Sequence, residues 1–149
     1  MTNTLLILLL VFQLKHWLAD YPLQTPWMLG KFKDRDWVKP LAAHAGVHAA
    51  FTFSIVLATS WILGYASVSL VLILAGFDFA MHFSMDRVKA SPKLMGRWKS
   101  LSYVEYGVAL KHGNEHLLRS NTYFWWALGF DQGFHHVTHY LIITAMLWR

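Results

Sequence analysis

Four pairs of potential metal ligands, each with its members four residues apart, lie in the hydrophobic stretches of this sequence. Residues four apart share one face of an α-helix, so each pair would present two donors together. The eight residues are His16, Asp20, His44, His48, His82, Asp86, Asp131 and His135. Because the chain has no cysteine, any metal would be held by imidazole and carboxylate, which suit zinc, iron or manganese. The pattern predicts a site for one or two divalent transition-metal ions.

Six further polar residues lie next to these pairs along the chain and are expected to support ligands or substrate: Gln24, Lys31, Asp78, Lys89, Gln132 and His139. Asp78 and His139 extend two of the pairs by another step of four, and could hydrogen-bond ligands or relay protons. The two glutamines could hydrogen-bond a ligand or a substrate. Lys31 and Lys89 are expected just outside the cluster, where they could meet a phosphate or a lipid headgroup. Alternatively, the two lysines only mark the cytoplasmic side of a membrane.

The elements that must position these residues are transmembrane helices. Hydrophobic residues make up 56% of the 149 residues and charged residues 14%, against about 25% charged in ordinary soluble domains. About 20 apolar residues cross the hydrocarbon core, and four stretches approach this length, at about 4–20, 41–63, 68–88 and 122–148. We therefore expect an all-α fold, in which residues 1–149 form one integral membrane bundle of about four helices.

The basic residues predict how this bundle is oriented. Eleven of the thirteen Lys and Arg residues lie in the first and third loops between the four stretches. Such loops are usually cytoplasmic, so both termini should lie outside, in a bacterial inner membrane. All four ligand pairs then fall in the cytoplasmic half, which their spacing alone did not require. Between the third and fourth stretches, the segment from Val104 to Leu118 is expected to be amphipathic and to lie at the interface.

Four motifs, in order along nearly the whole chain, resemble those of the small bacterial and phage membrane proteins of domain-of-unknown-function family 3307. They are His16-x-x-x-Asp20-Tyr-Pro-Leu-Gln24-Thr-x-Trp27-Met28 followed by Lys31, His44-x-x-x-His48, His82-x-x-x-Asp86-x-x-Lys89 and Phe130-Asp131-Gln132-x-x-His135. The resemblance implies a multi-span membrane protein with no settled activity. This chain departs from the pattern in its basic loop, residues 91–120, and in the additional His136 and His139.

The leading functional hypothesis is a metal-dependent hydrolase that acts on a lipid, or another amphiphilic ester or phosphoester, at the cytoplasmic leaflet. The metal would activate water and polarise the scissile group. Asp20, Asp86 and Asp131 are the candidate catalytic carboxylates, and one that does not bind metal would act as general base. Membrane lipids are the expected partners and nucleic acid is not expected, while a homo-oligomer is compatible with the sequence.

Several other functions use similar donors. A non-enzymatic conduit for metal ions or protons would need polar residues through the whole membrane, but the outer halves of the stretches are almost wholly apolar, as in Leu5 to Val11. A di-iron oxidase or desaturase would use the same carboxylates and imidazoles. Haem is not expected, because the many carboxylates do not suit it. A purely structural or lysis-related membrane protein is the remaining alternative.

Overall fold

The computed structural model describes residues 2–65, 67–91, 94, 107–108, 111–113 and 122–148, and for residues 122–125 the backbone alone. The main elements are α1 (Thr2–Asp20), a short 3₁₀ helix (Met28–Phe32), α2 (Val38–Ile62), α3 (Val68–Ala90) and α4 (Thr122–Leu147). The described residues contain no β-strand, which confirms the all-α prediction. Ten of the fifteen residues of the predicted interfacial segment, residues 104–118, lie outside the described residues.

Local sequence explains where the helices begin and end. Pro40 lies in the first turn of α2, where the missing N–H of proline would have no helical partner in any case. After α2, Gly64 adopts a φ of +76°, a left-handed conformation that glycine reaches without steric cost. The Ser67 hydroxyl accepts a hydrogen bond from the backbone N–H of Leu70 at 3.4 Å. This bond caps the start of α3.

The four long helices form a closed ring in which α1 packs against α2 and α4, and α3 also packs against α2 and α4. The 3₁₀ helix packs against the start of α2 and against α3. At this contact Gly30 approaches Pro40 so closely that a Cβ atom at residue 30 would lie 2.9 Å from Pro40 Cγ. A glycine here lets the 3₁₀ helix close the end of the ring at which α1 and α3 terminate.

The interior of the ring changes character along its length. At the end where α1 begins and α4 ends it is filled by an apolar core of Leu8, Phe12, Val56, Val71, Leu74, Ile142, Ile143 and Met146. Towards the other end all four helices also bury polar and charged side chains. The potential metal ligands and catalytic side chains therefore lie in one half of the bundle.

The outward faces are apolar. Leu10, Ile62 and Ile73 are 71%, 74% and 66% exposed, an amount of exposed aliphatic surface that water-facing helices rarely carry together. Within the described residues, α1, α2 and α3 are each long and apolar enough to cross a membrane.

Candidate metal centre

Each of the four long helices contributes one of the predicted pairs to the polar half of the ring, and the structure brings all eight side chains together. Seven of them are buried, with exposed fractions of 0–5%: His16, His44, His48, His82, Asp86, Asp131 and His135. The Asp20 side chain is 18% exposed. We call these eight residues, together with Lys15, Lys31, Thr52, Asp78, Lys89, Gln132 and His139, the polar cluster. Within it, three groups of three side chains place potential ligand atoms close enough to share a metal ion.

The first group joins α1 to α2 and consists of Asp20, His44 and His48. Asp20 Oδ1 lies 3.3 Å from His44 Nε2 and 3.1 Å from His48 Nε2. The other oxygen, Oδ2, lies 3.1 Å from His16 Nε2. Zinc ligands at about 2.0–2.1 Å in a tetrahedral arrangement stand about 3.3 Å apart. The two separations between Asp20 Oδ1 and the imidazole nitrogens therefore match those between ligands of one ion.

His48 Nε2 hydrogen-bonds Asp20 Oδ1 at 3.1 Å, but the His44 ring is directed differently. His44 Nε2 lies 3.3 Å from Asp20 and 3.0 Å from Asp86. Nevertheless, it has no hydrogen bond of acceptable direction to any described residue. Ligands that converge on a common point lie close to one another without pointing at one another. The His44 geometry is what a shared metal position would produce.

The second group joins α3 to α4 and consists of Asp86, Asp131 and His135. His135 Nε2 lies 3.3 Å from Asp131 and 3.6 Å from Asp86. Two lysines also enter this group: Lys31 Nζ lies 2.7 Å from Asp86, and Lys89 Nζ lies 2.7 Å from Asp131. Ammonium groups thus already neutralise the two carboxylates.

The third group, His16, His82 and His139, spans α1, α3 and α4. His82 Nδ1 lies 3.0 Å from the backbone carbonyl of Asp78, so it can donate a hydrogen bond there while Nε2 is left facing the cluster. Histidines that bind metal commonly use their second nitrogen in this way. His82 Nε2 has no hydrogen-bond partner among the described residues. It is therefore free to act as a ligand.

A buried ion pair lies where the polar cluster meets the apolar core. Lys15 Nζ donates to Asp78 Oδ2 at 2.6 Å and lies 3.3 Å from His139 Nε2. The Thr52 hydroxyl donates to the same oxygen of Asp78 at 2.8 Å. Asp78 also lies 3.2 Å from His82 Nδ1. Asp78 is thus tied to α1 and α2 as well as to its own helix, and it holds the His82 ring in place.

Sequence reasoning missed Lys15 and Thr52, although two signals were available. Lys15 is the one basic residue inside the first apolar stretch, and a charge at such a position usually has a buried partner. Thr52 follows His48 by four residues and so extends the ladder of His44 and His48 on the same face of α2. The spacing of four therefore predicted a third polar side chain on this face of α2.

The supporting residues behave differently from one another. Lys31 was expected just outside the cluster but is 1% exposed and lies inside it, because the 3₁₀ helix folds its side chain back onto Asp86. Gln132 Oε1 lies 3.1 Å from His16 Nε2, and Gln132 Nε2 donates to Asp131 at 3.1 Å. Gln24 is half-buried and makes no hydrogen bond to the described residues. The catalytic and metal-binding roles of all these residues remain predictions.

Comparisons with protein-family models, with curated proteins and with solved structures found no match for this chain. The assignment of a function therefore depends on the geometry of the polar cluster.

Proposed function

We propose that the chain is a membrane-embedded metal-binding protein, and that it acts as a metal-dependent hydrolase on a lipid or another amphiphilic ester or phosphoester at the cytoplasmic leaflet. The observation that carries the proposal is the Asp20, His44 and His48 group, in which one carboxylate oxygen lies 3.3 Å and 3.1 Å from two imidazole nitrogens inside a bundle with apolar outward faces. Zinc, iron and manganese are the metals whose preferences fit oxygen and imidazole nitrogen donors.

The proposal includes α4 as a fourth spanning helix. Its 26 residues would extend over about 39 Å, more than the hydrocarbon core of about 30 Å. Its polar residues lower its average hydropathy, but Asp131, His135 and His139 are turned inward, with exposed fractions of 0–1%. The side chains on its outer face include Phe130 and Leu141, which are 55% and 53% exposed. An apolar outer face is what contact with lipid requires.

The basic loops favour an orientation with both termini outside and the polar cluster on the cytoplasmic side of a bacterial inner membrane. The motifs that resemble domain-of-unknown-function family 3307 are also the ones that form the polar cluster, which supports the same architecture. Where α1 and α3 end, Asp20 and Lys89 are partly exposed members of the cluster, with side chains 18% and 22% accessible, and Gln132 is half-buried. Substrate would therefore approach along Asp20, Lys89 and Gln132.

A bound ion would supply Lewis acidity and activate a water molecule for attack on the ester or phosphoester. The chain's own residues would orient the reactants. Gln132 can hold a donor group through the oxygen that now faces His16, and Lys89 carries a positive charge at the half-open end. Of the candidate catalytic carboxylates, Asp86 and Asp131 are paired with lysines. In this scheme Asp131 acts as the general base, because it does not belong to the Asp20, His44 and His48 group and so would not bind the metal.

A conduit for ions or protons is the alternative from a different class. The apolar core opposes it, because Phe12, Val56 and Ile142 are each 0% exposed and close the ring beyond the Lys15–Asp78 pair. A hydrated path through these side chains would require them to separate. A di-iron oxidase or desaturase would need two ions in the cluster, so the number of bound ions distinguishes it from the hydrolase proposed here.

Elemental analysis of the protein purified in detergent tests the metal site directly. We expect a stoichiometric transition metal in the wild type and its loss in His48→Ala. His136→Ala is a matched control, because His136 is half-buried and hydrogen-bonds Gln13 at 2.9 Å rather than an aspartate of the cluster. A wild type without stoichiometric metal, or equal metal content in the two variants, would contradict the metal site.

The reaction needs a separate assay. Amphiphilic carboxylic esters and phosphoesters in mixed micelles should be hydrolysed by the wild type, with activity removed by a chelator and restored by Zn²⁺ or Mn²⁺. If the metal-loaded protein hydrolyses neither class, the hydrolase assignment fails even though the metal site stands.

A further inference from the structure

We propose that the polar cluster binds one divalent ion, held by Asp20, His44 and His48, and that the ammonium groups of Lys31 and Lys89 take the place of a second ion. This inference rests on the proposed function only in its premise that the cluster binds metal. It selects one of the three candidate groups, and it excludes a two-metal centre although the cluster has enough donors for one.

Three of the four carboxylates in the cluster are already neutralised by lysine. The Nζ-to-oxygen distances are 2.6 Å for Lys15–Asp78, 2.7 Å for Lys31–Asp86 and 2.7 Å for Lys89–Asp131. The first two lysines are buried, with side chains 1% and 2% exposed. The short contacts of Lys31 and Lys89 are made to one oxygen, Oδ2, of Asp86 and of Asp131. A metal at the Asp86, Asp131 and His135 group would have to use the Oδ1 atoms, and there it would stand beside two ammonium groups, whose positive charges repel it.

Asp20 is different. No Lys or Arg nitrogen of the described residues lies within ion-pair distance of its carboxylate, and its close neighbours are the Nε2 atoms of His16, His44 and His48 at 3.1–3.3 Å. Neutral imidazoles can coordinate a metal but do not neutralise a carboxylate. Two histidines and one carboxylate with open positions form a recurrent site for catalytic metals. His16 Nε2 lies on the other oxygen of Asp20 and on Gln132 Oε1, so it supports Asp20 from outside the group.

The balance of charge also favours one ion. The four aspartates and three lysines of the cluster leave one net negative charge when the histidines are neutral. One divalent ion converts this to one net positive charge, which a single anionic ligand such as hydroxide or a substrate phosphate would cancel. Two divalent ions would leave three positive charges. Uncompensated charge is costly in a surrounding of low polarity, so the second ion is disfavoured.

The experiment counts Zn²⁺ ions per chain by elemental analysis, after detergent-purified protein has been loaded and freed of excess metal by size-exclusion chromatography. We expect one ion in the wild type, none in Asp20→Asn, and one in Asp131→Asn. The two variants are matched, because each converts one carboxylate of the cluster to its amide. Affinity in Asp20→Asn should fall by more than the about 10–100-fold that follows loss of a group supporting a ligand. Lys31→Met/Lys89→Met should bind two ions.

Each outcome decides between the alternatives. Two ions in the wild type, equal loss of metal in Asp131→Asn and Asp20→Asn, or a lysine double variant that still binds one ion would each overturn the inference. If Asp20→Asn does not elute as a monodisperse species, His48→Asn replaces it, with the same expected loss. A wild type without metal overturns both this inference and the metal site of the proposed function. One ion that depends on Asp20, in a protein without hydrolytic activity, supports the inference and contradicts only the hydrolase assignment.

Discussion

Along α1, Leu8 and Phe12 pack into the apolar core, while Lys15 and His16, one turn further on, belong to the polar cluster. The other three long helices also pass from apolar to polar buried residues at this depth, for example between Val56 and Thr52 on α2. Both halves are buried to a similar degree, but they depend on different forces. The apolar core is stabilised by packing, and other apolar side chains of similar shape could replace its residues. The polar cluster depends on each charge finding a specific partner on another helix.

The largest effect should come from breaking the ion pair at the boundary between the halves. Asp78→Ala would leave the Lys15 ammonium buried beside neutral groups, because Lys15 is 2% exposed and donates to Asp78 at 2.6 Å. Removal of one member of a buried pair costs about 3–5 kcal/mol. Denaturation of the detergent-solubilised protein, followed by circular dichroism, would measure the loss in free energy of unfolding.

A double variant sharpens this test. Lys15→Met/Asp78→Ala removes both charges of the pair, and replacement of a buried ion pair by apolar groups is often close to neutral. We expect the double variant to recover most of the stability lost in Asp78→Ala. If it is as unstable as the single variant, the polar half does not depend on charge pairing in the way described here.

The next effect in size concerns the apolar half. Leu8→Ala should destabilise the protein by about 3 kcal/mol, as truncation of a buried leucine does when the cavity cannot collapse. Leu10→Ala is the matched control on the same helix: Leu8 is 3% exposed and Leu10 is 71% exposed. The change at Leu10 should stay within about 0.5 kcal/mol. Equal losses in the two variants would show that the apolar core is not the packed half of the bundle.

The smallest expected effect tests how closely the 3₁₀ helix that carries Lys31 must pack against α2. Gly30→Ala places a methyl group 2.9 Å from Pro40 Cγ and should move the 3₁₀ helix that carries Lys31, at a cost of about 1–3 kcal/mol. In Gly46→Ala the added carbon meets nothing within 4 Å, and within a helix the change should stabilise by about 0.5–1 kcal/mol. Thermal unfolding of both variants would measure the difference. A Gly30→Ala protein as stable as the wild type would contradict the close contact at Pro40.

Much of the architecture followed from local sequence. The four predicted stretches agree with α1 to α4 to within three residues at each end, because apolar runs, Pro40 and the turn at Gly64 define helices locally. The convergence of the four ligand pairs also followed, since charge in the loops placed them at one depth. The interfacial segment and the orientation remain predictions.

The partners of individual charges did not follow from the sequence. Spacing indicated only which side chains share a face of one helix. In the structure Asp20 of α1 faces His44 and His48 of α2 as well as His16 of its own helix, and Lys31 turns inward to Asp86. These contacts depend on how far each helix is rotated and on where a long, flexible lysine side chain ends. Periodicity along one helix contains no information about either.

The sequence by itself thus determined that the chain forms apolar helices, and that their imidazoles and carboxylates lie at one level. Helical periodicity and hydropathy are local properties, so a single sequence suffices for both. Only the tertiary structure decided which carboxylates are neutralised by lysine, and so left Asp20 with histidines as its close neighbours. The physical reason is that pairing of charges depends on distances of 2.6–3.6 Å between different helices, which packing alone determines.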